Sequence, residues 1–222
     1  MLKLTIAVAA IALPDSINPS LILVALYLAM GPHPLRRTAA FTAAAFAVTF
    51  AGGVVFAFGL GDLILSIAPK PGDTLKYALI AAAGAVLLVG GGVIWALRES
   101  LPKRDAARAE KAEQAGGSAV LMGAGIAGVE LLSAFPYFAA IALLAGSSAS
   151  TPEKLLLLVF YNVVYVLPLI AIVAVCAATG PRAEHVLSRV RGWVLTRWPL
   201  IVAPLAAAIG AGLIVWGVTR LA

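Results

Sequence analysis

A carboxylate and an amide lie in the middle of a long apolar stretch near the start of the chain. Asp15 is the only charged residue within residues 4–30, and Asn18 follows it closely. A charge at the centre of a bilayer costs at least about 2.5 kcal/mol, so an acid at this depth indicates a functional site or a specific partner. Pro14 and Pro19 each remove a backbone donor, and Asn18 before Pro19 is typical of a helix start. We therefore predict two half-helices that meet near the middle of the bilayer.

A second carboxylate and proline occupy a comparable place later in the chain. Glu130 and Pro136 lie in the apolar stretch 119–146, and Glu130 and Asp15 are the only acids in such stretches. Burial and a neighbouring carboxylate both favour proton binding, so we predict that the pair holds one shared or two bound protons near neutral pH. Proton binding would then drive alternating access. The alternative is that each acid only ties adjacent helices to a freed backbone group.

A third polar group lies in the apolar stretch 155–178. Tyr161 and Tyr165 fall on one helical face, and Asn162 lies three residues before Tyr165. Ligand binding and an interhelical hydrogen bond, worth about 0.6 to 2 kcal/mol, explain such residues equally well. No His or Cys lies beside a nucleophile here, so we predict no enzyme, no metal site and no cofactor. The candidate substrate- or ion-binding residues are Asp15, Asn18, Pro19, Glu130, Pro136, Tyr137, Tyr161, Asn162 and Tyr165.

Six apolar stretches position these residues. The chain has 222 residues, of which 62% are hydrophobic and 12% charged, and this composition excludes the soluble globular class. Cys176 is the only cysteine, which excludes a carrier of electrons through paired thiols. Each stretch can cross a hydrocarbon core of about 30 Å. The stretches are 4–30, 38–60, 75–97, 119–146, 155–178 and 199–219.

The basic residues predict the orientation. The net charge is +6, but in a membrane protein such charge first indicates topology, so we predict no nucleic-acid partner. Eleven of the sixteen Lys and Arg fall in alternate loops, at 36–37, 98–111 and 182–197. These loops are predicted to be cytoplasmic, which places both termini outside. We also expect residues 180–197 to form an interfacial helix on the anionic inner leaflet, separate from the last span.

The hydrophilic residues 98–117 divide the six stretches into two groups of three. Because three is odd, two related halves joined by a cytoplasmic linker have opposite orientations, as in many secondary transporters. We therefore predict an all-α polytopic membrane protein with six transmembrane helices in two inverted three-helix repeats. The first repeat is 1–97, the linker is 98–117 and the second repeat is 118–222. Helices 1 and 4 are predicted to be broken.

Three motifs in this order resemble the Sap or GAP (glycolipid-addressing protein) family of the lysine exporter (LysE) superfamily. They are Pro14 to Pro19, Gly128 to Phe138 and Tyr161 to Leu169. The resemblance spans nearly the whole chain. It implies six helices in two repeats, location in a bacterial inner (plasma) membrane, and a role in moving cell-envelope glycolipids across or out of that membrane.

Three functional hypotheses follow. The first is a transporter or transport accessory for envelope glycolipids, proton-coupled through Asp15 and Glu130, with an anionic glycolipid as substrate. The second is a LysE-type exporter of a small amino acid or cation. The third is a scaffold, without transport, for lipid-synthesis enzymes. The expected partners are membrane lipids and proteins of envelope-lipid synthesis or export. The substrate, the coupling ion, the direction and the oligomeric state stay open, with a homodimer as one option.

Overall fold

The computed structural model describes residues 2–60, 73–104, 107, 118–131, 134–145 and 147–221. Within these residues, every regular element is a helix. Residues 61–72 and much of the predicted linker at 98–117 lie outside the described residues. The helices are α1 (Leu2–Asp15), α2 (Pro19–Met30), α3 (Pro34–Val54, continued by the π-helical segment Val55–Leu60), α4 (Asp73–Ala96), α5 (Ala119–Leu131), α6 (Phe135–Ala145), α7 (Thr151–Tyr165), α8 (Leu167–Thr179) and α9 (Ala183–Leu221), with a 3₁₀ turn at Gly180–Arg182.

Prolines mark the three sharp breaks between consecutive helices. Pro19, Pro136 and Pro168 lie in the first turn of α2, α6 and α8, where a missing backbone N–H costs least. The bends are 63° between α1 and α2, 75° between α5 and α6, and 58° between α7 and α8. The first two breaks are the predicted ones, and the third has the same cause, a proline in the first turn of the second helix. The breaks therefore follow from local proline chemistry.

Two described helices are long and apolar enough to cross a membrane, Pro34–Gly59 and Thr196–Leu221. The number rises to five if each bent pair forms one span. Large apolar side chains such as Leu121, 72% exposed, and Val129, 69% exposed, lie on the surface, as expected for contact with lipid rather than water. The chain is thus an all-helical membrane protein. The six-helix count and the inverted repeat stay predictions.

The first compact unit comprises Met1–Ile64 and Ala107–Arg191. Helix α3 is central to it and packs against α2, α5, α7 and α8. The approach of α5 is close because Gly123 lies against the backbone of Phe41, where a Cβ would collide. The two broken helices pack reciprocally, with α1 on α6 and α2 on α5. This packing places the first helix break next to the second.

The second compact unit comprises Leu65–Ala106 and Gly192–Ala222. Here α4 and the C-terminal part of α9 approach through glycines. A Cβ on Gly84 would lie 2.6 Å from the carbonyl oxygen of Gly210, and a Cβ on Gly217 would lie 2.8 Å from that of Tyr77. Small residues let helices approach without side chains between them, which is how helices associate in lipid.

The C-terminal region corrects one prediction. Residues 180–197 do not form a separate interfacial helix, because α9 runs continuously for 39 residues through both Pro199 and Pro204. Each proline removes one backbone hydrogen bond, but in membrane helices neighbouring groups often compensate for that loss. The basic residues of 180–197 therefore lie on the first part of a long helix and do not mark a separate one.

Candidate functional site

The first helix break has the Asp15 carboxylate on one side and the N-cap of α2, Asn18, on the other. Helix α1 ends at Asp15, and the Ser16 hydroxyl donates a hydrogen bond to the carbonyl oxygen of Leu13 at 2.7 Å. Asn18 has an extended backbone, and its Oδ1 accepts a hydrogen bond from the Leu21 N–H at 3.2 Å. Asn18 is thus the predicted N-cap of α2. Its Nδ2 group is left to bind elsewhere.

The amide of Asn18 joins the first break to the second. Its Nδ2 donates a hydrogen bond to Oε2 of Glu130, which lies in the last turn of α5. The side chains of Ser20 and Tyr165 also lie beside the Glu130 carboxylate. Tyr165 Oη lies 3.4 Å from Asn18 Nδ2. Polar groups of the first break and of α7 therefore surround Glu130.

The Asp15 carboxylate accepts a hydrogen bond from Tyr161, which lies one helical turn before Tyr165 on α7. Tyr161 donates its hydroxyl proton to Oδ2 of Asp15 at 2.7 Å, and its side chain is buried. Within the described chain, Tyr161 is the only hydrogen-bond partner of the Asp15 carboxyl, and no Lys or Arg pairs with it. One face of α7 thus lies against both carboxylates, with Tyr161 hydrogen-bonded to Asp15 and Tyr165 beside Glu130.

A buried amide and hydroxyl lie beside this pair. Asn162 is 0% exposed, and its Nδ2 donates to the Leu158 carbonyl oxygen at 2.8 Å and to the Tyr137 hydroxyl at 3.1 Å. Tyr137 in turn donates to the carbonyl oxygen of Thr49 at 2.7 Å. The rings of Tyr137 and Tyr161 lie 5.0 Å apart. These bonds tie α3, α6 and α7 together.

A small cavity of about 10 Å³ lies among these groups, which is close to the minimum for one water molecule. In this conformation it admits no lipid headgroup. Asn162 Oδ1, a buried atom, has no hydrogen-bond partner among the described residues. The lining residues are Asp15, Thr49, Leu131, Ala134, Tyr137, Tyr161, Asn162 and Tyr165.

The structure brings most of the predicted site residues together. Five of them line the cavity: Asp15, Tyr137, Tyr161, Asn162 and Tyr165. Asn18 and Glu130 belong to the adjoining hydrogen-bond network. The two prolines, Pro19 and Pro136, lie in the first turns of α2 and α6 and do not line the cavity.

Sequence reasoning missed two contributors. Thr49 acts through its backbone carbonyl, which no side-chain pattern reveals, while its own hydroxyl bonds back to Ala45 in the same helix at 2.9 Å. Ser20 gave a usable signal, because it is a hydroxyl in the first turn of a half-helix that starts at a polar break. The placement of Ser20 beside Asn18 made it a candidate for the same carboxylate.

Comparison with known proteins adds the family. Searches of curated proteins and of solved structures gave no match. A family model described as "Sap, sulfolipid-1-addressing protein" matches residues 8–219, which include every residue of the two breaks and of the cavity. The predicted family is therefore confirmed, and this chain belongs to the Sap, or sulfolipid-1-addressing protein, family.

Proposed function

We propose that this protein is an inner-membrane transporter, or a transport accessory, for cell-envelope glycolipids, with the polar network between the two helix breaks as its working site. The observation that carries the proposal is the hydrogen bond between Asn18 and Glu130, which joins the two breaks. Irregular backbone at membrane depth is tolerated where it lines a cavity, and broken helices form the substrate sites of many secondary transporters. The lipid named in the family description supports a lipid substrate.

The helix starts at the breaks favour an anionic headgroup. Helices α2 and α6 begin beside the network, so the positive ends of their dipoles lie there. Such ends attract phosphate, sulfate or carboxylate groups. Because the cavity has room for about one water molecule, a headgroup enters only after the two breaks separate. The described conformation is then a closed state of the transport cycle.

The two carboxyls supply a reason for proton coupling. An anionic headgroup between Asp15 and Glu130 would be repelled by ionised carboxylates and accepted beside neutral ones. Headgroup binding and proton binding therefore favour each other, and by linkage each raises the affinity for the other. Release of the protons on the opposite side would expel the headgroup. Under this proposal both termini lie outside, and the protein has no catalytic role.

The small cavity favours a second candidate, the export of a small cation or amino acid, because a small solute fits the closed site with less rearrangement. The two candidates separate on deletion of the gene. A lipid transporter predicts a loss of glycolipid from the cell surface with unchanged cytosolic amino-acid and metal contents. Accumulation of a small solute with normal surface lipid would overturn the lipid proposal. A scaffold for lipid-synthesis enzymes would also lose surface lipid, but it would tolerate Asp15→Asn.

A further inference from the structure

The side-chain amide of Asn162 has one atom for which the described chain supplies no hydrogen bond. Its Nδ2 donates to the Leu158 carbonyl oxygen and to the Tyr137 hydroxyl, and these two bonds fix the orientation of the amide. The remaining atom, Oδ1, is buried and has no hydrogen-bond partner in the part of the chain that the structure describes. A buried acceptor left unsatisfied costs about 1–3 kcal/mol, so we expect a hydrogen-bond donor beside it.

A second acceptor borders the same space. Tyr161 donates to Oδ2 of the Asp15 carboxyl at 2.7 Å, and within the described residues no hydrogen bond reaches the other oxygen, Oδ1. Asp15 and Asn162 both line the small cavity. The cavity therefore lies between two oxygen acceptors, one on the first helix break and one on α7, and a molecule that donates two hydrogen bonds would satisfy both.

The size and the polarity of the cavity select that molecule. A volume of about 10 Å³ is close to the minimum for one water molecule and leaves no room for a larger donor. Cavities that stay empty are apolar, whereas a carboxyl, an amide and three tyrosines line this one. A buried water makes two to four hydrogen bonds, and its two O–H groups match the two acceptors.

We propose that one water molecule binds in this cavity and donates one hydrogen bond to Asn162 Oδ1 and the other to Asp15 Oδ1. No proton is transferred, and the charge of the site does not change. Asn162 is then a positioning residue for Asp15. Residues of α7 hold one carboxyl oxygen directly, through Tyr161, and the other through Asn162 and the water.

The water bridge fastens the first helix break to α7, which already packs against α1. Water-mediated hydrogen bonds are nearly as strong in enthalpy as direct ones, so the bridge stabilises the closed arrangement. The water site stands on the geometry alone. Its importance for transport rests on the proposed function, in which the bridge breaks when the two helix breaks separate.

The direct test is an experimental structure of the purified full-length protein at a resolution that shows ordered water molecules. We expect density for one water within hydrogen-bond distance of both Asn162 Oδ1 and Asp15. Ala134→Val adds two methyl groups to the cavity wall and should remove this density. Ala134→Gly, the matched control, leaves the space open and should keep it. An empty cavity in the wild type, or a direct hydrogen bond between Asp15 and Asn162, would overturn the inference.

A double-mutant cycle tests the positioning role. Asp15→Ala and Asn162→Ala are made singly and together, and the unfolding equilibrium constant of each protein is measured in mixed micelles. Because the water joins the two residues, we expect the combined effect to differ from the product of the single effects by about threefold to tenfold. In the Ala134→Val background, where the water has no space, this coupling should fall below about twofold.

The pair Tyr161→Phe and Asp15→Ala is the control cycle. Its two residues are joined by a direct hydrogen bond, so their coupling should persist in the Ala134→Val background. Undiminished coupling between Asp15 and Asn162 in that background would overturn the inference, because it would show that the two side chains interact without the water. If Asp15→Ala folds too poorly for the cycle, the densities in the wild type and in Ala134→Val give the answer. Failure of the inference would leave the proposed function intact, since that function fails only if surface lipid is normal after gene deletion.

Discussion

Tyr161→Phe is the most informative single change, because it removes one hydroxyl and leaves the ring in place. The hydroxyl donates to Asp15 Oδ2 at 2.7 Å, while the ring packs against Tyr137 with centroids 5.0 Å apart. The variant therefore removes the only described hydrogen bond to the Asp15 side chain without leaving a large cavity. The decrease in the free energy of unfolding of this variant therefore measures the strength of that one hydrogen bond.

The expected magnitude depends on the charge of Asp15. A hydrogen bond to a charged group contributes about 1.5–3 kcal/mol, whereas side-chain hydrogen bonds in membrane proteins average about 0.6 kcal/mol. We expect Tyr161→Phe to lower the free energy of unfolding by about 1–2 kcal/mol, in line with a buried and partly charged bond. Asp15→Asn keeps an acceptor oxygen at this place but removes the charge. The double variant should therefore show a coupling energy of about 1 kcal/mol.

The assay is reversible unfolding in mixed micelles by a denaturing detergent, for the wild type, both single variants and the double variant. Tyr27→Phe should change the free energy of unfolding by less than about 0.5 kcal/mol, because in the described chain its hydroxyl has no hydrogen bond. If the effects of Tyr161→Phe and Asp15→Asn add within about 0.3 kcal/mol, the two groups do not interact and the reasoning is refuted.

Three further predictions concern packing and topology. Gly123→Ala should destabilise the protein by about 1–3 kcal/mol in the same unfolding assay, because its Cβ would collide with the Phe41 backbone. Gly125→Ala on the same helix is the control, because a Cβ there has no atom within 4 Å and the free energy of unfolding should hardly change. Equal destabilisation by Gly123→Ala and Gly125→Ala would contradict the described packing. Cys176→Ala should keep function in a complementation assay, since a buried free Cys acts as a small apolar side chain, and a strong loss would indicate a thiol role. Reporter fusions at Ala222 should be active outside the cytoplasm, and a cytoplasmic C-terminus would refute the charge-based topology.

The helix breaks could be predicted from sequence because their cause is local. Pro19 has no backbone donor, and Asn18 caps the helix that Pro19 begins, so the boundary follows from neighbouring residues. At Pro199 and Pro204 the neighbouring residues alone do not decide the outcome, because α9 continues through both prolines. The consequence of a proline therefore depends on what the surrounding helices supply, and the sequence does not show this.

The members of the site could be predicted, but their pairing could not. A buried Asp or Glu in an apolar stretch is unfavourable enough to stand out without any structure. The tyrosine that lies beside each carboxylate depends on how α7 packs against the two breaks. Only the structure shows that Tyr161 bonds to Asp15 and that Tyr165 lies beside Glu130. The unpaired oxygen of Asn162 likewise follows from the placement of its neighbours.

The central claim is that the carboxyl pair between the helix breaks is the working site of glycolipid transport. The most direct measurement is the fraction of envelope glycolipid at the cell surface in a deletion strain that carries Asp15→Asn or Glu130→Gln, between about pH 6 and 8. Each variant keeps the shape of the side chain and removes its titration. With protein levels matched to wild type and Tyr27→Phe as control, we predict that both variants lose most of the surface glycolipid. Full activity of both variants across this range would contradict the claim and leave the pair a structural feature.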